Sequence, residues 1–62
     1  FRIKELREKE GLTQENLAMA VGISRIYLCK LENGQKLNPS IPLVKRIAKV
    51  LNTTVKSLIL ED

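Results

Sequence analysis

Three kinds of side chain in this protein carry enough chemistry to define a function: the cations, the carboxylates and one thiol. Nucleophilic catalysis is the first possibility to fall. Cys29 is the only cysteine and the chain has no histidine, so the thiol has neither a resolving partner nor an imidazole to activate it. The same counts exclude an intrachain disulfide and effectively exclude a zinc site built from Cys and His, so no metal and no cofactor is expected. No phosphate-cradling glycine pattern and no paired-carboxylate arrangement is present either, and the protein is not expected to be an enzyme. The cations remain. Residues 21 to 60 carry seven basic side chains against Glu32 alone, whereas residues 1 to 20 carry four of each sign. Such an excess suits a polyanionic partner, and it suits a solvated surface equally well.

The elements that hold these cations must be small. Sixty-two residues bury only roughly 60% of the surface of their extended chain, which argues for one domain over residues 1–62 and against a deep catalytic cleft. The apolar share of 44% is nearly all aliphatic, with 3% aromatic residues and no Trp, so the core is built from Leu, Ile and Val. A chain that starts at Phe1 leaves open that it is a piece of a longer protein. No apolar run reaches the length of a membrane span and no secretory signal is present. With a single cysteine, this fits a reducing, cytoplasmic setting and no membrane partner.

Periodicity and capping residues place five helices near residues 2–10, 13–20, 24–31, 40–51 and 54–60, with no sheet. Ile3 and Leu6 share a face of the first, which Gly11 ends. Thr13 caps the second, whose inward side is Leu17, Ala18 and Val21, and Gly22 interrupts it. Ser24 caps the third, where Leu28 and Leu31 share a face and Arg25, Ile26, Cys29 and Lys30 lie elsewhere on the cylinder. Asn33-Gly34 is a strong stop. Ser40 caps the fourth helix, with Pro42 in its first turn. Leu43, Val44, Ile47, Ala48 and Leu51 form its apolar side, and Lys45, Arg46 and Lys49 its wet side. Thr54 caps the last, in which Val55, Leu58 and Ile59 are expected to pack. Two short helices joined by a tight turn at Gly22 read as a helix-turn-helix.

The order of these pieces is more specific than any one of them. Leu6-Arg7, Gly11-Leu12-Thr13-Gln14, Leu17-Ala18, Val21-Gly22-Ile23-Ser24, Leu28 and Leu31-Glu32-Asn33-Gly34 resemble the small helical DNA-binding domains of phage repressors and their bacterial relatives, the Xre or Cro/cI-like family. The resemblance continues through Asn38-Pro39-Ser40, Ile47-Ala48-Lys49, Leu51 and Leu58, and so covers essentially the whole chain. It implies an all-α, compact five-helix lambda-repressor-like domain in which the third helix is the recognition helix of the DNA major groove.

Carried over residue by residue, the resemblance places Arg25, Ile26 and Lys30 at base-reading positions. Arg25 is the strongest of the three, because its planar fork can donate two bonds to guanine O6 and N7. Ile26 has two readings, contact with thymine methyl groups or half-burial against the turn, and Lys30 reaches a base or a phosphate. Gln14 sits where relatives place a side chain and a helix N-terminus against a phosphate, which unpaired first-turn N–H groups favour in any case. Ser24 is a cap first and a phosphate ligand second. Asn33, Gln35 and Lys36 belong to a loop that in relatives follows the sugar-phosphate backbone, where contacts set register rather than sequence preference. Arg7 and Glu32 match a pair of positions that relatives often use for a structural ion pair. Tyr27 either bonds a phosphate or covers the side of the core.

The function this implies is sequence-specific binding of double-stranded DNA as a transcriptional regulator. A homodimer is expected to read palindromic half-sites about one helical turn apart. The alternative is an antitoxin or another protein-interaction module that keeps the same fold for a protein partner. The operator, the regulated genes and the sign of regulation are not written in these residues.

Overall fold

Hydroxyl side chains set where four of the helices begin. In the computed structural model, which describes residues 2–35 and 38–59, the helices are α1 (Ile3–Lys9), α2 (Gln14–Val21), α3 (Arg25–Glu32), α4 (Ile41–Val50) and α5 (Val55–Ile59). Thr13, Ser24 and Ser40 stand one residue before α2, α3 and α4 with extended backbones, and each accepts a bond from a first-turn N–H: Asn16 at 3.0 Å, Tyr27 at 3.0 Å and Leu43 at 3.3 Å. Thr54 does the same for Ser57 at 3.0 Å. These bonds satisfy donors that the helices themselves leave without partners.

The expected helices are all present, with ends that differ by one residue; residue 60, the expected end of the last, lies outside the described residues. The caps lie just outside the helices they start, and α2 gains Val21 while α3 gains Glu32. Helix α1 has no side-chain cap. Instead the Arg2 backbone N–H donates to Leu58 O at 2.9 Å, its Nη1 to Ser57 O at 3.4 Å and its Nη2 to Glu5 Oε1 at 2.8 Å. The start of the chain is therefore fastened to carbonyls of α5. The bond and charge of Arg2 hold the Glu5 carboxyl below its ordinary pKa.

Residues with left-handed backbones stand at the ends of α1 to α4: Gly11, Gly22, Gly34 and Asn52. Gly22 (φ 78°) closes α2, and the N–H groups of Gly22 and Ile23 both donate to Ala18 O, at 2.9 and 3.0 Å. Asn52 (φ 56°) stands just past the end of α4, where asparagine tolerates what most residues do not. A β-carbon at Gly22 would meet nothing within 4 Å, so Gly22→Ala should cost about 1 kcal/mol through backbone strain alone. Urea unfolding checks this, and a much larger loss would mean that the turn is crowded.

The core forms where the inward stripes meet. Ile3 of α1, Leu17, Ala18 and Val21 of α2, Leu28 and Leu31 of α3, Leu43, Val44, Ile47 and Ala48 of α4, Leu51 and Leu58 are all buried. Helix α2 packs on both α3 and α4, α5 packs on α4, and α1 packs on α3. Two expectations need correction. Leu6 is only half-buried and packs at the margin of the core, because the inward line of α1 runs from Ile3 to Arg7, one helical turn on, and a guanidinium takes the place expected for a leucine. Ile59 is 51% exposed rather than packed, since Leu58 takes the inward position of so short a helix. No helix among the described residues is long and apolar enough to cross a membrane.

Candidate nucleic-acid interface

Helix α3 has two unlike sides. Leu28 and Leu31 are 0% and 2% exposed and fix the helix to the core, and Tyr27 packs half-buried beside them. On the outward side Arg25, Ile26 and Lys30 are exposed. Of the two readings of Ile26, half-burial against the turn is excluded, because 64% of the residue faces solvent. The three expected base-reading residues are thus all exposed on a helix whose other face is immobilised. A side chain that is to meet a base edge in a groove needs that support.

The N-terminal end of α3 adjoins the start of α2. Arg25 shares a surface cleft with Gly11, Leu12, Thr13, Gln14 and Glu15, which brings the strongest candidate reader beside the first turn of α2. There Thr13 Oγ1 takes the N–H of Asn16 and Thr13 O takes that of Leu17. The N–H groups of Gln14 and Glu15 have no carbonyl four residues back within the helix, and they point out of its positive end. Sequence reasoning misses Glu15. It brings a carboxylate into the cleft beside Arg25, a neighbour that is visible only once α2 and α3 are packed.

Beneath the cleft lies a buried polar knot. Arg7 reaches across from α1 to the last residue of α3, with Nε donating to Glu32 Oε2 at 2.7 Å and Nη2 to Glu32 Oε1 at 3.3 Å. Its Nη1 donates to Leu12 O at 2.7 Å in the turn between α1 and α2. Glu32 Oε1 also accepts from Gln14 Nε2 at 2.9 Å. The Glu32 side chain is 1% exposed and that of Arg7 10%, and among the described residues no buried side-chain nitrogen or oxygen lacks a partner. Two-point pairing with further hydrogen bonds is what makes a buried ion pair tolerable. Gln14, expected at a phosphate, therefore has one amide hydrogen already committed to Glu32.

The other candidates fall at the far end of α3. Asn33 and Gln35 are exposed, the Asn33 N–H donates to Cys29 O at 3.0 Å, and that of Gln35 donates to Lys30 O at 3.2 Å. Asn33 Nδ2 also reaches Cys29 Sγ at 3.5 Å. Lys36 lies outside the described residues. Ser24 is exposed, with its hydroxyl oxygen engaged as a cap. Among the described residues no group of three or more His, Cys, Asp or Glu is placed to hold a metal.

Comparison with known proteins gives a consistent result. The sequence profile of the helix-turn-helix family matches residues 3–58. An uncharacterised HTH-type transcriptional regulator of Archaeoglobus fulgidus is 46% identical over 61 residues, covering 98% of this chain and 86% of that protein. Two solved structures superpose closely. One is SinR, described as the master regulator for biofilm formation, in complex with DNA, with a TM-score of 0.86, 32% identity and coverage of 95% of this chain and 94% of that one. The other is a SinR–SinI complex, with a TM-score of 0.88, 33% identity and coverage of 97% of this chain but only 58% of that one. From α1 to Leu58, the helices, the turn at Gly22 and these likenesses agree: the chain belongs to the helix-turn-helix family of transcriptional regulators, with the five-helix fold of the Xre and Cro/cI-like members.

Proposed function

We propose that this protein binds double-stranded DNA sequence-specifically as a transcriptional regulator, with α3 in the major groove. The observation that carries the proposal is the division of α3 into a face locked by Leu28 and Leu31 and a face that leaves Arg25, Ile26 and Lys30 exposed. Its likeness to SinR, which has been solved with DNA, supports the same reading. Arg25 reads guanine, Ile26 lies against thymine methyl groups and Lys30 reaches a base or a neighbouring phosphate. Gln14, Ser24, Asn33, Gln35 and Lys36 meet the sugar-phosphate backbone. Two copies related by two-fold symmetry read half-sites about one helical turn apart.

Selection from a random duplex library, followed by binding across a salt series, tests this. The expected outcome is an enriched palindrome and a linear fall of log affinity with log salt, the slope growing by roughly 0.9 for each phosphate neutralised. A library that shows neither enrichment nor salt-sensitive binding would overturn the proposal. The likeness to SinR in its complex with SinI favours a second reading in that event, in which the fold serves a protein partner, as in an antitoxin.

A further inference from the structure

The bond between Gln14 and Glu32 joins two parts of the molecule with separate tasks, a backbone-facing residue at the start of α2 and a structural anion at the end of α3. We infer that Glu32 is a positioning residue for DNA: through its hydrogen bond to Gln14 it holds a carboxamide N–H donor at the start of α2, where a backbone phosphate docks. The inference rests on the reading that the chain binds DNA.

The geometry leaves Gln14 little choice. A carboxylate only accepts hydrogen bonds, so the group turned toward Glu32 Oε1 has to be Nε2, and the amide has one orientation rather than two. Glu32 cannot follow if Gln14 swings away, because both of its oxygens are held by Arg7, at 2.7 and 3.3 Å. Gln14 is itself only half-buried, so part of the residue stays accessible at the start of α2, where Thr13 leaves the N–H groups of Gln14 and Glu15 unused while it caps Asn16, and Nε2 keeps a second hydrogen that the bond to Glu32 does not use. A long, rotamer-rich side chain is thus ordered before DNA arrives, and binding does not have to order it. Because Glu32 is the last residue of α3, one carboxylate ties the phosphate-facing end of α2 to the helix that enters the groove.

The test is a double-mutant cycle in DNA affinity, using folded protein and a mixed-sequence duplex at low salt, so that no operator need be known. Glu32→Gln and Gln14→Leu should each weaken binding about three- to tenfold, the size of one hydrogen bond. The double variant should be no weaker than either single one, because Glu32 acts through Gln14. Ile47→Val supplies the control: it lowers thermal stability from the core of α4, outside the Arg7–Glu32–Gln14 knot, and should change affinity by less than about twofold. Glu32→Asp, which keeps the charge but draws the oxygen back from Gln14, serves in the same cycle if Glu32→Gln does not fold. Losses that multiply in the double variant, or an Ile47→Val protein as weak on DNA as Glu32→Gln, would reduce Glu32 to a structural ion and overturn the inference. Failure of the DNA reading has a different signature, since the unmodified protein would then show no salt-dependent binding to the duplex.

Discussion

Replacing either Arg7 or Glu32 by alanine is expected to destabilise the fold by about 3 to 5 kcal/mol, a large share of what a small domain possesses. The loss has little to do with the attraction between the two charges. Both side chains are sheltered, at 10% and 1% exposure, and removing one leaves the other without its principal partner. Arg7 would keep only Leu12 O, and Glu32 would keep only Gln14 Nε2. A guanidinium cannot shed its charge to escape, so Glu32→Ala strands a permanent cation. A domain of this size moves in melting temperature by roughly 4 to 8 °C for each kcal/mol, so either variant should melt at least about 10 °C lower. The double variant should lose clearly less than the sum of the two, because the second removal takes away the stranded charge. Thermal and urea unfolding of the four proteins complete the cycle. Strictly additive losses would show two independent surface charges and contradict the buried pairing of Arg7 with Glu32.

That pair also marks the limit of what is legible in the sequence. Thr13, Ser24, Ser40 and Thr54 announce the helix starts because each acts on an N–H three residues away. Gly22 announces the turn because its backbone conformation excludes most other residues. Such local physics survives in a one-dimensional reading, and so does the stripe of Leu28 and Leu31. Interactions between distant residues do not. Arg2 binds carbonyls 55 and 56 positions away, with no capping residue to signal it. Arg7 and Glu32, 25 apart, are matched only through the resemblance to a family, and the bond from Gln14 to Glu32 spans 18 positions. Because Arg7 takes the inward place on α1, Leu6 is pushed to the rim of the core, which an apolar-stripe reading gets wrong. The exposure of Ile26 is undecidable from sequence for a related reason. Its place on the helical wheel lies off the Leu28–Leu31 stripe, and only the packed turn shows that nothing covers it.

Arg25→Ala is expected to cost roughly 1 to 3 kcal/mol on the preferred duplex and to relax the preference at one base pair in each half-site. The residue is the first of α3, exposed, and preceded by the Ser24 cap, so it takes no part in packing the helix on the core. Removing it should therefore leave the melting temperature nearly unchanged, which separates loss of recognition from loss of fold. Loss of charge is a second confounder, and Lys36→Ala resolves it by removing a cation from the segment that follows α3. Without a phosphate interaction there, preferred and scrambled duplexes should weaken by similar factors and the salt slope should fall by about 1. Arg25→Ala should change the ratio of the two affinities, with little change in slope. Arg25→Lys sharpens the comparison further, since it keeps the charge but cannot donate the paired bonds of a planar fork to guanine O6 and N7, and should fall with alanine in specificity while retaining more of the non-specific affinity. The measurement is the ratio of specific to non-specific affinity for each variant over one salt series. An unchanged ratio in Arg25→Ala would remove Arg25 as the reader of a base and leave discrimination to Ile26 and Lys30, the two other exposed side chains assigned to that face of α3.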